Sequence, residues 1–314
     1  MSEQPADPIA APAAEEPGVP WSDPAIQQAM AWRDGDIVVS VPPKSGTTWT
    51  MNIVHQLREG GDAALGDVYV EVPWIELVPS PGIARETLVA QLDAMPGHRR
   101  RAFKTHSAPG ALPYHAPGEG PDVQYVVVAR NPDEVVASMY PFICAHSEDW
   151  FTAWGMSRDE FLPPDFEAYF DTIGKGIVGE SVFGFLAAWW PLRHASNVLL
   201  MHFSDMKRDH EGSVRRIAEF LGFTPAAEAW PTILECTSFA WMKAHEACFE
   251  LRAVTDPPVL DPGAMMRRGE TGGARKDGVT SAMSAEIERL GREILADEAA
   301  LAWLYDGGEI AGRR

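Results

Sequence analysis

The sequence is poor in basic residues. Its 314 residues include 26 Lys and Arg against 45 Asp and Glu, which gives a formal net charge of −19 and a pI of about 4.8. A surface this acidic repels nucleic acid and anionic membranes, so we expect no nucleic-acid partner. Any anionic ligand must therefore be bound by a local cluster of Lys and Arg.

Cysteine is scarce, and long apolar runs are missing. The three cysteines are widely spaced without a CxxC pair, which argues against a disulfide framework or a zinc site and favours reduced thiols in the cytoplasm. No apolar run approaches the roughly 20 residues that span a bilayer. The N-terminus is rich in Pro and acidic residues where a signal peptide has a basic start. We expect a disordered tail over residues 1–20 and one domain over residues 21–314.

Short apolar runs alternate with segments of helical periodicity. Strands are predicted at residues 36–42, 101–106, 123–129 and 197–203, and helices at 47–60, from Asn131 onward, and over 205–222. This alternation is typical of an α/β fold, with a mostly parallel sheet flanked by helices in a single domain. Residues 143–180 break the rhythm and are predicted to form a long irregular excursion that serves as a lid or binding wall.

The segment PPKSGTTW lies between the first predicted strand and the first long predicted helix. Such a turn exposes backbone N–H groups at the positive end of the helix dipole. Gly46 lets an anion approach the backbone, Lys44 adds a positive charge, and Ser45, Thr47 and Thr48 add hydroxyl donors. The lysine precedes the glycine, so this is not the Walker A pattern, and a magnesium–triphosphate site is not indicated.

This segment resembles the phosphosulfate loop of the cytosolic sulfotransferase family. Further matches follow in the family's order, and together they span about residues 36–290: FKTHSAPGALP at 103–113, YVVVARNPDEVVASMYPF at 125–142, CTSFAWM at 236–242 and MRRGETGGARKD at 266–277. From the resemblance we expect a bacterial member of this family and a P-loop-like, phosphosulfate-binding strand–loop–helix.

The resemblance implies a donor, 3′-phosphoadenosine 5′-phosphosulfate (PAPS), and no metal. Residues of the loop would hold the 5′-phosphate, namely Lys44, Ser45, Gly46, Thr47 and Thr48. An adenine site is implied at Trp49, Thr237 and Phe239. The 3′-phosphate would be bound by Arg130, Ser138, Arg267, Arg268 and Gly269. Arg130 and Ser138 are eight residues apart in the sequence, about two helical turns, so both can face the carboxyl end of the strand.

Sulfuryl transfer needs a base for the acceptor and positive charge near the leaving phosphate. His106 is the candidate base, because imidazole titrates near neutrality. Lys44 is assigned to the leaving phosphate. Lys104 lies two residues before His106 on a predicted strand, so both side chains share one face, and its charge can stabilise the sulfuryl oxygens.

The acceptor site is implied at Trp74, Leu77 and Phe142. Four further aromatic residues are candidates either for this site or for core packing, namely Tyr140, Trp150, Phe151 and Trp154. An aromatic site favours a small alcohol, phenol or lipid-like acceptor over a free sugar.

Departures from the family pattern keep alternatives open. The family's GDWK is GGARK here, so the late loop is expected to close differently on the nucleotide. Phe203 replaces a family tyrosine, and the dimerisation segment is poorly kept in KDGVTSAMSAE, so the oligomeric state is left open. The alternatives to a sulfotransferase are a small-molecule kinase on a related scaffold and a non-catalytic protein that binds nucleotide or lipid.

Overall fold

The computed structural model describes residues 19–310. Four short strands form one parallel sheet in the order β2–β1–β3–β4, and their bounds are β1 Ile37–Ser40, β2 Ala102–Thr105, β3 Gln124–Ala129 and β4 Val198–His202. All four lie within the predicted strand segments. The predicted α/β fold is confirmed.

Helices connect and cover the strands. Their bounds are α1 Ala25–Ala29, α2 Thr47–Glu59, α3 Val68–Glu71, α4 Arg85–Asp93, α5 Pro132–Cys144, α6 Glu148–Ala153, α7 Arg158–Phe161, α8 Phe166–Tyr169, α9 Phe185–Trp189, α10 Phe203–Arg208, α11 His210–Leu221, α12 Trp230–Cys236, α13 Phe239–Ala244, α14 Ser281–Leu295 and α15 Glu298–Asp306. Two π-helical segments lie at Phe170–Gly174 and Ile177–Gly184, and short 3₁₀ turns lie at Trp190–Leu192, Ala227–Ala229, Glu246–Phe249 and Ala274–Asp277.

The sheet is buried on both faces, as an all-parallel sheet requires. Along β1, Ile37 and Val39 point into one apolar core while Val38 points into the other. The strands β3 and β4 alternate in the same way between the two cores. The first core is completed by residues of α2 and α11, and the second by residues of α5, α9 and α15. These layers hold the carboxyl ends of the strands at one edge.

The boundaries of α2 and α5 follow local signals read from the sequence. Gly60 ends α2 in the left-handed conformation. Asn131 caps α5 by accepting a hydrogen bond from the N–H of Asp133, and Pro132 is the first helical residue.

The predicted single helix over 205–222 is wrong, because the structure has two helices there. Asp209 leaves the helical conformation, with φ −131° and ψ 82°, and its carboxylate accepts a hydrogen bond from the N–H of Gly212. An aspartate that caps a new helix competes with continuation of the old one. The second helix ends at Gly222 as predicted.

The predicted irregular excursion over 143–180 is also wrong, because this region is largely helical. The side chains of Ser147 and Asp165 cap the N-termini of α6 and α8. Gly155, with φ 67°, lies in the turn between α6 and α7. Many of its aromatic residues are buried, among them Trp150 and Phe151, so packing orders a segment that lacks clear periodicity. Of the predicted tail, residues 1–18 lie outside the described residues.

Within residues 19–310, every helix falls short of the length and apolarity that crossing a bilayer requires.

Candidate active site

A cavity of about 790 Å³ opens at the carboxyl edge of the sheet. Its wall contains nearly every predicted site residue: Lys44, Gly46, Thr47, Thr48, Trp49, Trp74, Leu77, Lys104, His106, Arg130, Ser138, Phe142, Thr237, Phe239, Arg267, Arg268 and Gly269. These residues come from segments up to 225 positions apart, so the fold, not local sequence, brings them together.

The loop after β1 forms the floor of the cavity. Gly46 has φ 95°, and a Cβ atom there would lie 2.7 Å from Cδ2 of Phe203, so no other residue fits without displacement. Gly46 immediately precedes α2, whose first N–H groups have no acceptor within the helix. The loop therefore presents backbone donors where an anion can reach them.

Two hydroxyls of this loop do not point where we expected. Ser45 is fully buried and does not line the cavity, and its hydroxyl donates to the Pro43 carbonyl at 3.4 Å. The Thr47 hydroxyl donates to the Pro42 carbonyl at 3.2 Å. In this structure both hydroxyls stabilise the turn itself, and a direct contact between Ser45 and the donor stays a prediction.

Aromatic rings form the side of the cavity near α2 and α13. The indole N–H of Trp49 donates to the Thr237 carbonyl at 2.8 Å, which fixes the Trp49 ring. The ammonium of Lys207 lies 5.9 Å from the Trp49 ring centre and 5.6 Å from that of Phe239. The two rings therefore offer aromatic surfaces on which a flat heterocycle can stack, close to a cation.

Arg130, directly after β3, links two loops of the site. Its guanidinium donates to the carbonyl of Lys44 at 2.8 Å, to that of Glu270 at 3.2 Å, and to the Glu134 carboxylate at 2.9 Å. The other Glu134 oxygen accepts from the N–H of Gly272. Arg130 and Lys44 thus share one cleft, and the late loop is tied to the same point.

The late loop contributes a second cationic pair. Arg267 donates to both oxygens of Asp277, at 3.2 and 2.7 Å, and Arg268 donates to one of them. Burial raises the pKa of Asp277, but hydrogen bonds from the two arginines outweigh it, so the net pKa is lowered. Gly269, with φ 63°, lies against the Phe239 ring, where a Cβ atom would clash.

Lys44 carries the most informative pKa among the loop residues. Burial, together with the charges of Arg130 and Arg267, lowers its pKa to about 7. Its ammonium lies 3.8 Å from the centre of the Phe142 ring, on the boundary between the cationic and apolar parts of the cavity. An anion bound here would restore its full charge.

The geometry of His106 suits a base. Its Nδ1 lies 2.6 Å from the Val41 carbonyl, which can only accept, so Nδ1 carries the proton and Nε2 keeps a free lone pair. Burial and the charge of Lys104 hold the pKa of His106 well below its usual range, so the ring is neutral at pH 7. Lys104 lines the same wall, with its ammonium 3.1 Å from the centre of the Trp74 ring.

The rest of the cavity is mainly apolar. Phe142, Trp74 and Leu77 line it as expected, and further walls come from Trp150, Val259, Leu260 and Met265. Of the four additional aromatic candidates, Trp150 lines the cavity. Phe151 and Trp154 pack against Trp21, and Tyr140 packs against Phe166 and Tyr169. For these three residues, core packing is the correct interpretation.

Sequence reasoning missed several residues of this wall. Glu76, His146, Lys207, His210 and Asp277 line the cavity, and none was a candidate. Glu76 had a signal, an acid in the otherwise apolar PWIELV. Asp277 ends the segment MRRGETGGARKD but was not singled out within it, and His146, Lys207 and His210 carry no motif and reach the site only through the packing of separate helices and loops.

A strand–loop–helix anion site with convergent Lys, Arg and His side chains at the carboxyl edge of a parallel sheet defines a nucleotide-dependent group transferase. The sequence pattern of the sulfotransferase domain family matches residues 34–298. The chain therefore belongs to the sulfotransferase domain family, and the prediction of a sulfotransferase is confirmed.

Individual relatives agree with this assignment. Rat Sulfotransferase 1A1 is 28% identical over 253 residues, which cover 79% of this chain and 80% of the relative. Among solved structures, mouse sulfotransferase SULT7A1 complexed with PAP (3′-phosphoadenosine 5′-phosphate) has a TM-score of 0.66, at 21% identity over 89% of this chain and 90% of its own. Retinol dehydratase in complex with retinol and PAP has a TM-score of 0.68, at 20% identity over 87% and 84%. The two structural matches support the fold.

Proposed function

We propose that the protein transfers the sulfuryl group of PAPS to a hydroxyl or amine of a small apolar acceptor. The observation that carries this proposal is the convergence of Lys44, Lys104, His106 and Arg130 on one cavity whose remaining wall is apolar. A cationic end suits a doubly phosphorylated nucleotide, and an apolar end suits the acceptor. PAP in two solved relatives supports this choice of nucleotide.

The residues present fit the nucleotide. Gly46 leaves room for an anion at the start of α2, and Trp49 and Phe239 line the cavity near Lys207, where a base can stack. Arg130, Ser138, Arg267 and Arg268 lie on the side assigned to the 3′-phosphate. Arginine favours phosphate because its planar fork donates two hydrogen bonds at once.

The proposed step uses three side chains. His106 accepts the acceptor proton at Nε2 while the acceptor oxygen forms a bond to sulfur. The bond between sulfur and the bridging phosphate oxygen breaks, and Lys44 stabilises the charge that develops on the leaving 5′-phosphate. Lys104 stabilises the sulfuryl oxygens. The products are a sulfate ester, PAP and a protonated histidine.

The acceptor class follows from the apolar wall. Trp74, Leu77 and Phe142 lie beside His106 and Lys44, so an alcohol or phenol can bury its hydrocarbon against them with its oxygen near Nε2. Retinol, bound by one solved relative, is an alcohol of this kind.

A small-molecule kinase is the second candidate. It needs carboxylates free to bind magnesium, whereas, among the described residues, two of the four carboxylates that line the cavity are ion-paired, Glu134 with Arg130 and Asp277 with Arg267, and a third, that of Glu76, accepts from the N–H of His106. A non-catalytic binding protein is disfavoured by the buried, correctly tautomeric His106. The relatives described above include rat and mouse proteins, so they do not support a bacterial origin, which stays a prediction. A cytoplasmic location also stays a prediction.

Titration calorimetry with PAP, and separately with ATP and magnesium, tests the donor assignment. We expect PAP to bind at least about tenfold more tightly, because only PAP presents a phosphate to Arg130 and its neighbours. Equal or tighter binding of ATP would overturn the proposal in favour of a kinase.

A further inference from the structure

Glu76 enters the active site on a segment that pairs with the outer edge of β2. The N–H of Lys104 donates to the Pro73 carbonyl at 2.8 Å, and the N–H of Ile75 donates to the Lys104 carbonyl at 3.0 Å. Trp74 is thereby the cross-strand partner of Lys104, in parallel register. Side chains paired across strands share a face, so Glu76, two residues further on, lies beside His106.

The Glu76 carboxylate is buried and anchors the main chain of the proposed base. The residue is 2% exposed. Its Oε1 accepts hydrogen bonds from the N–H of His106 at 2.7 Å and from the Thr105 hydroxyl at 2.9 Å. Its Oε2 is equally buried and, within residues 19–310, has no hydrogen-bond partner. A buried carboxylate oxygen is costly unless a nearby charge compensates it.

Lys104 is the cation whose charge interacts with Glu76 through space. The residue is 1% exposed, and its ammonium lies over the Trp74 ring. The titratable groups around it are Glu76 on the edge segment, His106 on its own strand, and Lys44 on the loop after β1. Burial lowers the pKa of Lys104, and the charge of Glu76 raises it. His106 is neutral, and Lys44 can be only neutral or positively charged, so the compensating negative charge among these groups is that of Glu76.

We propose that Glu76 is a positioning residue for sulfuryl transfer, which fixes the main chain of His106 and the side chain of Thr105 and sets a negative charge near the buried Lys104 ammonium. The inference rests on the proposed function for its effect on turnover. Its structural part, the charge coupling between Glu76 and Lys104, is independent of that function.

The first test titrates Lys104 directly. Protein labelled with ¹³C at the lysine Cε, without donor or acceptor, is followed by NMR against pH in the wild type and in Glu76→Gln, which keeps an oxygen acceptor but removes the charge. We expect the pKa of Lys104 to fall by about one unit or more in the variant. An unchanged Lys104 titration would overturn the proposal, whether or not the protein transfers sulfuryl groups.

The second test reads turnover with PAPS and 2-naphthol. Glu76→Gln should lower kcat at least about tenfold, leave the KM for PAPS within about threefold, and move the alkaline limb of kcat to lower pH, because neutral Lys104 is reached earlier. A residue that only stabilised the fold would leave that limb in place. Glu293→Gln, an exposed charge removal on α14, is the matched control and should change neither kcat nor the limb.

Lys104→Met keeps the proposal testable if Glu76→Gln does not fold. Loss of the lysine charge leaves the buried Glu76 carboxylate without a nearby cation, so Lys104→Met should lower the free energy of unfolding more than the double variant Lys104→Met/Glu76→Gln does, measured by urea denaturation. Additive destabilisation in the double variant would contradict the proposal.

Discussion

At the residue scale, the site depends on groups whose charge is set by burial. The pKa of Lys44 is lowered to about 7, and the pKa of His106 is lowered so far that its ring is neutral at pH 7. Each value lies below the ordinary pKa of its residue type. The cause is the same low-polarity surrounding, which disfavours each charged form. Ligand binding must therefore change protonation as well as occupancy.

Lys44 should take up a proton when PAP binds. The free residue has a pKa of about 7, so at pH 8 it is mostly neutral, and the phosphate dianions favour its charged form. Calorimetry in two buffers of different ionisation enthalpy should show net proton uptake at pH 8 and much less at pH 6, where Lys44 is already protonated. Lys44→Met should abolish the uptake at pH 8. Binding at pH 8 with no proton uptake by the wild type would show that Lys44 does not meet the phosphate.

At the element scale, Arg130 joins three pieces of structure at the end of β3. It holds the carbonyl of Lys44 from one loop, that of Glu270 from another, and the first turn of α5 through Glu134. Its loss should therefore weaken nucleotide binding and also loosen the late loop.

Arg130→Ala should lower PAP affinity by about 10- to 100-fold, the worth of charged hydrogen bonds to one phosphate. Binding of adenosine 5′-phosphate, which lacks the 3′-phosphate, should fall by much less. Arg215→Ala, an exposed ion-paired arginine on α11, is the control and should bind both nucleotides normally. Equal losses for the two nucleotides would exclude a 3′-phosphate contact.

Elements with a strong local pattern were predictable from sequence. The strands β1, β3 and β4 are mainly apolar runs, β2 begins with one, and Gly60, Asn131 and Pro132 mark helix ends by their own chemistry. The break at Asp209 was missed because a capping aspartate inside a periodic segment gives a weak signal. The helices after Cys144 were missed because aromatic packing, a tertiary effect, orders them.

The residues of the site also fall into a group that the sequence predicts and a group that it does not. His106 and Arg130 follow β2 and β3 directly, and Lys44 lies in the short loop after β1, so the parallel topology alone predicts that they meet. Asp277 and His146 could not be found, because their positions depend on how distant loops pack. The inward turn of the Ser45 hydroxyl also depends on backbone geometry that a motif does not specify.

At the scale of the whole molecule, the chain segment 276–286 bears on oligomeric state. Val279 is buried, the Thr280 hydroxyl accepts the N–H of Met283 at the start of α14, and Ser284 donates to Asp133. These contacts keep the segment within its own chain. We expect light scattering after gel filtration to give a monomer mass near 34.4 kDa at micromolar concentration. A mass twice as large would show that another surface, or a rearranged segment, forms a dimer.

At the scale of the whole molecule, six basic side chains meet in one cavity of a chain whose net charge is −19, namely Lys44, Lys104, Arg130, Lys207, Arg267 and Arg268. Such a cluster of positive charge suits a polyanionic donor such as PAPS, whose leaving phosphate gains negative charge during transfer.

The most direct measurement is transfer of ³⁵S from labelled PAPS to a panel of phenols, aliphatic alcohols and sterols. We expect a labelled sulfate ester with at least one acceptor, a loss of at least about 10²-fold in His106→Ala with PAP binding preserved, and normal turnover in His98→Ala, which changes an exposed histidine. Undiminished transfer by His106→Ala, or no transfer by a wild type that binds PAP, would contradict this expectation.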